Sequence, residues 1–493
     1  MQITRRHLLG SGLALGASGL LLPRLVRAED DGPRFLIVLG CFGGAQMIDC
    51  FMPIDRSEAY LDANRGVVIS HDTRTVGNIR SVDRSTPTSF LSRHGHQTVV
   101  MGTMGSSVNH FVAQGRSING RDVFDGRTIT EAVAAAYGGG MALPNVNMGR
   151  GGYTQPGSDV TLDPRYQQEI VVNPVTFALS THGHAGILPL GEHPAQDREL
   201  RAAMVDRARA LRDGPLEEAS PFGRTFSGSR VRRDLLVARG SSDPQLEVQE
   251  LIRELLYVPD MGDVLPLSEY GLSPSDETGL IQSMLPGAFP VTTTGTPSDR
   301  LQAQAALAYL LIKTGTSCAV TLTEPGTDGF LAFDNSHTGH ASAQATHWDR
   351  VLDTASRLIQ LLDSSDYVGP EGPTGESLWD RTMIVFATEF GRDKWDTGSG
   401  FGTGHHLNNG LLVVSPMLAG DQSLGEPDPD NGFICGFDPD TGQPTPFTGL
   451  SPGEDPLFSD ERTPPTEERV FGGLLDVLGV EFEGQETLPV LKA

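Results

Sequence analysis

The chain has 493 residues, of which 38% are hydrophobic, and it carries a formal net charge of −25 at pH 7. A chain of this size and composition can bury one large hydrophobic core or two smaller ones. Its strong negative charge repels nucleic acid and anionic lipid, so neither is an expected partner, and an anionic substrate would need a metal ion or an arginine cluster to bind.

Residues 1–28 have the pattern of a twin-arginine export signal. The pair Arg5-Arg6 precedes an apolar run over residues 8–22, and a small-residue cleavage site follows at 26–28. The run is about 15 residues long, whereas a helix needs roughly 18–20 to span a bilayer. The sequence therefore predicts a periplasmic or secreted protein, exported by the Tat machinery and left without a stable membrane span after signal cleavage. Such proteins generally cross the membrane already folded, which is a reason to look for a metal site.

The mature chain alternates apolar strands with helices. Continuous apolar runs predict buried strands at 35–39, 98–102, 318–322, 382–387 and 411–414. Periodic or capped segments predict helices at 128–137, 299–313, 343–362 and 467–478, the first of which opens with a capping box from Thr128 to Glu131. This alternation predicts an α/β sandwich with a mostly parallel central sheet flanked by helices.

Two segments depart from this alternation of strands and helices. Between 186 and 297, charged helical stretches alternate with Pro/Gly/Ser-rich linkers, which predicts a helical insertion or lid within a domain that spans 29–493. The segment 426–464 is rich in Pro, Asp and Gly, and its aspartates invite a calcium interpretation. Position 12 counted from Asp428 is Pro439, and counted from Asp438 it is Gly449, so an EF-hand is excluded and turn chemistry is favoured.

The four cysteines are too few for a disulfide scaffold, and none has the CxxC spacing of a zinc knuckle. Cys41 and Cys50 are a candidate pair in an oxidising compartment. Cys318 begins an apolar strand and is expected to be a buried thiol.

Candidate functional residues follow the predicted strands, because ligand sites in parallel α/β sheets lie at the carboxyl ends of the strands. They are Asp49 and the segments 105–110, 333–340, 387–392 and 402–406. Divalent metals need carboxylates and imidazoles that converge from separate loops, and these segments supply both. They therefore predict a metal or substrate site at this edge of the sheet.

The histidines of these segments differ in what they predict. A single histidine such as His110 is commonly a hydrogen-bonded structural residue. Asp334 and His337, flanked by glycine and serine, suit contact with a metal or a substrate. His405 and His406 diverge if the chain is extended, so at most one of them is expected to face a given site.

Glu389 follows a strand with no helix face beside it to solvate it, which favours a functional role with Arg392 as its partner. His347, by contrast, lies inside a predicted amphipathic helix and is expected to be a surface or packing residue.

Taken in chain order, five segments resemble the exported proteins of the domain-of-unknown-function 1501 group, which have an alkaline phosphatase-like (sulfatase-like) fold. The segments are 39–49, 107–110, 333–337, 387–392 (Ala-Thr-Glu-Phe-Gly-Arg) and 402–406 (Gly-Thr-Gly-His-His). The Glu-Phe-Gly-Arg and His-His elements together are fairly specific for this group. The resemblance covers most of the mature chain except the insertion, and it implies a site on one edge of the sheet.

In catalytic relatives of this superfamily, two metals lie between an early Asp, a central Asp and His, a late Asp-His pair and a final His, beside a Ser, Thr or formylglycine nucleophile. By position, the resemblance implies a divalent metal (zinc, calcium or manganese) held by Asp49, Asp334, His337, Glu389 and one of His405 and His406. The residues implied for catalysis are Ser106 or Ser107 (with Thr103 a third candidate nucleophile), Asn109, His110 and Arg392.

The chain departs from this pattern at the late pair, which is Glu389-Phe390 here, because a phenyl ring cannot coordinate a metal. No sulfatase-type Cys-x-Pro-x-Arg occurs either. These departures count against a complete two-metal site, so a site with one metal or none stays open. The expected function is a metal-dependent hydrolase of phosphate or sulfate esters, on small molecules or polysaccharides. The alternatives are a non-catalytic binding or assembly protein that uses the insertion for recognition, and a carbohydrate- or wall-modifying activity such as headgroup transfer.

Overall fold

The computed structural model describes residues 32–120, 126–172, 174, 203–204, 207–216, 219–225, 227–229, 300–324, 332–369, 372–398, 402–455, 464–481 and 485–492. The chain divides into two units, Met1–Val172 with Arg300–Ala493, and Asn173–Asp299. The predicted export signal lies outside the described residues, as does most of the predicted insertion at 186–297. None of the helices described is both long and apolar enough to cross a bilayer.

Strands and helices alternate along the first unit. The strands are β1 (Phe35–Cys41), β2 (Leu61–Asp62), β3 (Gly66–Val68), β4 (Thr73–Val76), β5 (Ile79–Val82), β6 (Thr98–Met104), β7 (Asn145–Asn147), β8 (Glu169–Ile170), β9 (Ala319–Thr323), β10 (Asp366–Gly369), β11 (Gly372–Ser377), β12 (Thr382–Thr388), β13 (Gly391–Arg392), β14 (Trp395–Asp396), β15 (His405–His406), β16 (Asn408–Val414), β17 (Gln422–Leu424), β18 (Gly436–Phe437) and β19 (Pro444–Thr445). The α-helices are α1 (Ser85–His94), α2 (His110–Asn119), α3 (Ile129–Tyr137), α4 (Pro221–Thr225), which belongs to the second unit, α5 (Arg300–Lys313), α6 (Ser336–Asp363) and α7 (Glu467–Val477).

The central sheet has eight strands in the order β17-β6-β16-β12-β1-β9-β7-β8. β1 pairs in parallel with β12 on one side and β9 on the other, and every residue of β1 and β12 is buried. Only β16 runs against its neighbours, antiparallel to both β12 and β6. The prediction of a mixed α/β fold with a large, mostly parallel sheet flanked by helices is confirmed.

The predicted boundaries hold best where the sequence carries a specific signal. The capping box of α3 is present: the Thr128 hydroxyl accepts the Glu131 N–H, and the Glu131 carboxylate accepts the Thr128 N–H. α6 begins seven residues before the predicted start, at Ser336, and Gly339 interrupts its helical dihedrals with φ −166° and ψ 75°. The seven additional residues are important because they include His337 and His340.

The cysteines form no disulfide bonds. All four are free and buried, so Cys41 and Cys50 are not linked, and Cys318 is the predicted buried thiol. In the acidic loop at 426–464, the Asp438 carboxylate accepts hydrogen bonds from the backbone N–H groups of Asp440 and Thr441. The Asp428 carboxylate accepts one from the backbone N–H of Asp430. Both aspartates therefore serve as turn residues.

Candidate metal centre

The strand directions bring the predicted segments to one edge of the sheet. β1, β6, β9 and β12 run in the same direction, so their carboxyl ends share this edge. β16 runs the opposite way, so the residues before it start from the same edge. Gly43, Ser106 and Glu389, which follow strands, therefore lie at the same edge as His405, which precedes one.

Asp334 lies at the centre of the resulting cluster. Its Oδ1 accepts a hydrogen bond from Arg392 Nη2 at 2.7 Å and lies 3.2 Å from His337 Nε2 and 3.3 Å from His405 Nε2. Its Oδ2 lies 3.5 Å from His110 Nε2. Burial alone would raise the pKa of the Asp334 carboxyl, but the hydrogen bonds from His110, His405 and Arg392 hold this pKa far below its usual range. Asp334 is therefore ionised at any physiological pH.

Glu389 supplies the second carboxylate of the cluster, and it is fully buried. Its Oε2 accepts from Gln114 Nε2 at 2.7 Å and lies 3.1 Å from His110 Nδ1, while its Oε1 accepts the Gly43 N–H. His110 thus bridges the two carboxylates, one at each ring nitrogen. Burial lowers the pKa of His110, but the hydrogen bonds to Asp334 and Glu389 outweigh it and raise the pKa to about 9.

This raised pKa predicts how the stability of the metal-free protein depends on pH. Protonated His110 stabilises the fold fully below its unfolded-state pKa of 6.5, and that stabilisation is lost as the pH rises through about 9. We expect the difference in Tm between chelator-treated wild type and His110→Gln to shrink between pH 6.5 and 9, measured by thermal denaturation. A difference that stays constant across this range would contradict the bridging role.

The protonation of the other two histidines follows from their partners. His405 Nδ1 lies 2.9 Å from the Val108 carbonyl oxygen, which can only accept, so Nδ1 carries a proton and donates it, while Nε2 faces Asp334 Oδ1 at 3.3 Å. Arg392 Nη1, which can only donate, lies 3.3 Å from His337 Nε2. Burial and the Arg392 charge also lower the pKa of His337. His337 Nε2 and His405 Nε2 lie 2.8 Å apart, and both lie within 3.3 Å of Asp334 Oδ1, so a proton or a metal cation shared among these three atoms fits the site.

These residues fit one divalent metal. The ligand atoms of His110, Asp334 and His405 all lie within 4.8 Å of one another, the one such group among the residues that the structure describes. The carbonyl behind His405 is the kind of partner that orients a metal-binding imidazole. His110 would have to lose its bridging proton for the metal to bind, so binding should release protons.

Phe390 stands where the resemblance would place an imidazole ligand. Its ring stacks on His405 with a centroid separation of 4.0 Å and an interplanar angle of 25°, and it meets His110 edge-on at 5.0 Å. Phe390 therefore holds two candidate ligands in place by packing rather than by coordination.

Two glycines after β1 allow this close approach. Gly43 has φ +97°, and a Cβ there would lie 2.1 Å from the Asp334 backbone nitrogen. Gly44 has φ +80°, and a Cβ there would lie 2.7 Å from the Phe390 ring. Only glycine combines these left-handed dihedrals with the absence of a side chain.

Asp49 and His406 do not join the Asp334 cluster. Asp49 is buried in a second cluster, where its two oxygens accept from His71 Nε2 at 2.9 Å and His340 Nε2 at 2.8 Å. Burial would raise the pKa of Asp49, but these histidines hold it well below its usual range. His406 Nε2 turns to Asp455 at 3.2 Å, so the predicted divergence of the adjacent histidines is confirmed.

The predicted catalytic residues have varied surroundings. Ser106 Oγ is buried without a hydrogen-bond partner, whereas Ser107 Oγ accepts the Asn109 N–H at 3.1 Å. Asn109 is the N-cap of α2, and its side chain accepts from Val112 at 3.3 Å. Their catalytic roles, like that of Thr103 within β6, stay predictions.

The predicted partner of Arg392 needs correction, and the structure decides between the two alternatives for His347. Arg392 forms its ion pair with Asp334 rather than with Glu389, because the turn into β13 carries its guanidinium toward the loop that holds Asp334. His347 is not at the surface: it is buried, with Nδ1 2.9 Å from Glu324 Oε1 and its ring against Phe333. The packing alternative is the correct one for His347.

Several polar residues near this edge were missed in the sequence. Gln114 supports Glu389 from α2, a helix for which no start signal was recognised, although Asn109 is a favourable N-cap. His71 carries no local signal, since it lies in a loop far along the chain from Asp49. A comparison with protein-family models and with curated proteins found no match to this chain.

Proposed function

We propose that this protein is an exported, metal-dependent hydrolase of phosphate or sulfate esters with an alkaline phosphatase-like fold. The observation that carries the proposal is the convergence of His110, Asp334 and His405, with His337 beside them, at the carboxyl edge of the sheet. The twin-arginine pattern supports a periplasmic or secreted location, where the substrate is a small-molecule or polysaccharide ester.

The donor set favours zinc over calcium or manganese, because imidazole nitrogens outnumber carboxylate oxygens. When bound, such a metal polarises an ester oxygen and lowers the pKa of a coordinated water or hydroxyl. His110, Asp334 and His405 would hold it, with His337 as a further donor.

The chain's own residues supply the rest of the chemistry. Arg392 is fully buried, and its Nη1 and Nη2 lie beside His337 and Asp334, so it keeps a fixed positive charge at the site. That charge pairs with Asp334 and, together with the contact to His337, holds both side chains in position at the site. Glu389 holds His110 in orientation from behind, and Phe390 excludes water from one side of His405.

Metal removal tests this proposal. Mature protein purified without chelator should contain about one equivalent of metal per chain by elemental analysis. It should hydrolyse at least one member of a panel of phosphate monoesters, phosphate diesters and sulfate monoesters. Chelation should abolish turnover, and zinc, manganese and calcium added separately should show which ion restores it. Folded protein that binds no metal, or that is as active after stripping, would contradict the proposal.

One observation favours the binding or assembly alternative. Phe390 fills the position of a ligand, so the site has fewer donors than a two-metal hydrolase requires. That alternative predicts no turnover on the whole ester panel, together with a partner that co-purifies with the chain.

A further inference from the structure

A second buried cluster connects a hydroxyl to a carboxylate through a histidine. Thr403 Oγ1 lies 2.8 Å from His340 Nδ1, and His340 Nε2 lies 2.8 Å from Asp49 Oδ2. The other Asp49 oxygen accepts from His71 Nε2 at 2.9 Å. Thr403, His340 and Asp49 are all buried.

The direction of the hydrogen bond between His340 and Asp49 follows from its partners. The Asp49 carboxylate can only accept, so His340 Nε2 carries a proton and donates it. In the tautomer whose Nδ1 carries no proton, the Thr403 hydroxyl donates to this nitrogen. The order hydroxyl, imidazole, carboxylate is the arrangement by which a base activates a weak oxygen nucleophile.

Thr403 also adjoins the candidate metal centre. It lies two residues before His405, and its carbonyl oxygen accepts from Arg392 Nη1 at 3.1 Å. The same Arg392 nitrogen lies 3.3 Å from His337 Nε2. One guanidinium group therefore separates Thr403 from the metal-site histidines, and the flanking Gly402 packs directly on the His337 backbone.

The two serines predicted as nucleophiles have no such support. Ser106 Oγ has no hydrogen-bond partner, and Ser107 Oγ accepts the Asn109 N–H instead of donating to a base. Among the described residues, Thr403 has a hydroxyl that is hydrogen-bonded to a histidine at this edge of the sheet.

We propose that Thr403 is the nucleophile of the ester hydrolysis, with His340 as its base and Asp49 as the residue that orients His340. This inference rests on the proposed function. A bond forms between Thr403 Oγ1 and the ester phosphorus or sulfur, and the bond from that atom to the leaving oxygen breaks. The Thr403 proton passes to His340 Nδ1 and then to the leaving oxygen. Water next attacks the same phosphorus or sulfur atom and gives a proton to His340 Nδ1. The bond from that atom to Thr403 Oγ1 breaks as His340 returns the proton to the threonine oxygen.

Three variants test the assignment. Thr403→Val keeps the side-chain shape and should lower kcat at least about a thousandfold, in line with the loss of other catalytic nucleophiles, with unchanged metal content. Thr403→Ser restores a hydroxyl and should keep kcat within about tenfold of wild type. Thr354→Val is the matched control, because it removes a buried hydroxyl that has no hydrogen-bond partner in α6, and it should leave kcat unchanged.

A direct measurement complements the variants. Acid quenching of wild-type protein during turnover of a phosphate monoester, followed by peptide mass spectrometry, should show phosphate on Thr403. Turnover of Thr403→Val at the wild-type rate, or label on Ser106 or Ser107, would overturn the nucleophile assignment while metal-dependent turnover leaves the proposed function standing. Wild-type protein that hydrolyses no ester would overturn both.

Discussion

Replacing Asp334 by alanine is expected to remove both bound metal and ester hydrolysis. Its Oδ1 lies within 3.3 Å of Arg392, His337 and His405, so no other described carboxylate can take its place at the centre. Loss of residues that merely orient a ligand weakens metal binding 10–100-fold, so loss of a direct ligand should weaken it more than about 100-fold. Elemental analysis and kcat/KM on the best substrate measure the two effects.

The same change leaves the fully buried Arg392 without its ion-pair partner, which typically costs about 3–5 kcal/mol of stability. Asp334→Asn keeps an oxygen acceptor and should separate the loss of metal from the loss of fold. Asp366→Ala removes one negative charge from an exposed position and should retain metal and activity. An Asp334→Ala protein that is active without metal would exclude the proposed centre.

Gly43→Ala is expected to disrupt the candidate centre more severely than any change at the surface. The new Cβ would lie 2.1 Å from the Asp334 nitrogen, and Gly43 also has a left-handed φ of +97°. The backbone conformation alone costs alanine about 1–2 kcal/mol. The clash adds to this cost because it displaces the Asp334 backbone, so we expect a large drop in Tm and loss of bound metal.

Gly375→Ala is the matched control, since Gly375 has φ +83° with no atom within 4 Å of the added Cβ. Gly375→Ala has the same unfavourable backbone conformation but no steric clash. If Gly43→Ala and Gly375→Ala lower the free energy of unfolding equally in denaturant titrations, the close packing of Gly43 on Asp334 is contradicted.

The sequence predicts the central strands well because they are buried on both faces. Continuous apolar runs mark β1, β6, β9, β12 and β16, and each lies within about two or three residues of the predicted position. The direction of β16 was beyond prediction, because an apolar run reads the same for parallel and antiparallel pairing. The early start of α6 was missed because Asn335, Ser336 and Gly339 are turn-forming residues.

The sequence predicts which residues contribute to the candidate centre but not which of them contact one another. The strand-end rule brings Asp334, Glu389 and His405 to one edge, since it depends only on strand direction. Which cation faces which carboxylate depends on loop geometry that the sequence does not encode locally. Hence the sequence predicts Glu389 as the partner of Arg392 and Asp49 as a metal ligand, whereas the structure pairs Arg392 with Asp334 and Asp49 with His71 and His340.

The four sulfhydryl groups bear on where this chain can mature. Burial raises the pKa of each thiol, so all are protonated and shielded from exchange with outside thiols or oxidants. The four thiols form no cross-link, so the packing of the first unit does not depend on the redox potential of the surrounding compartment. Under the proposed export route, a chain with this property can reach its final fold before translocation begins.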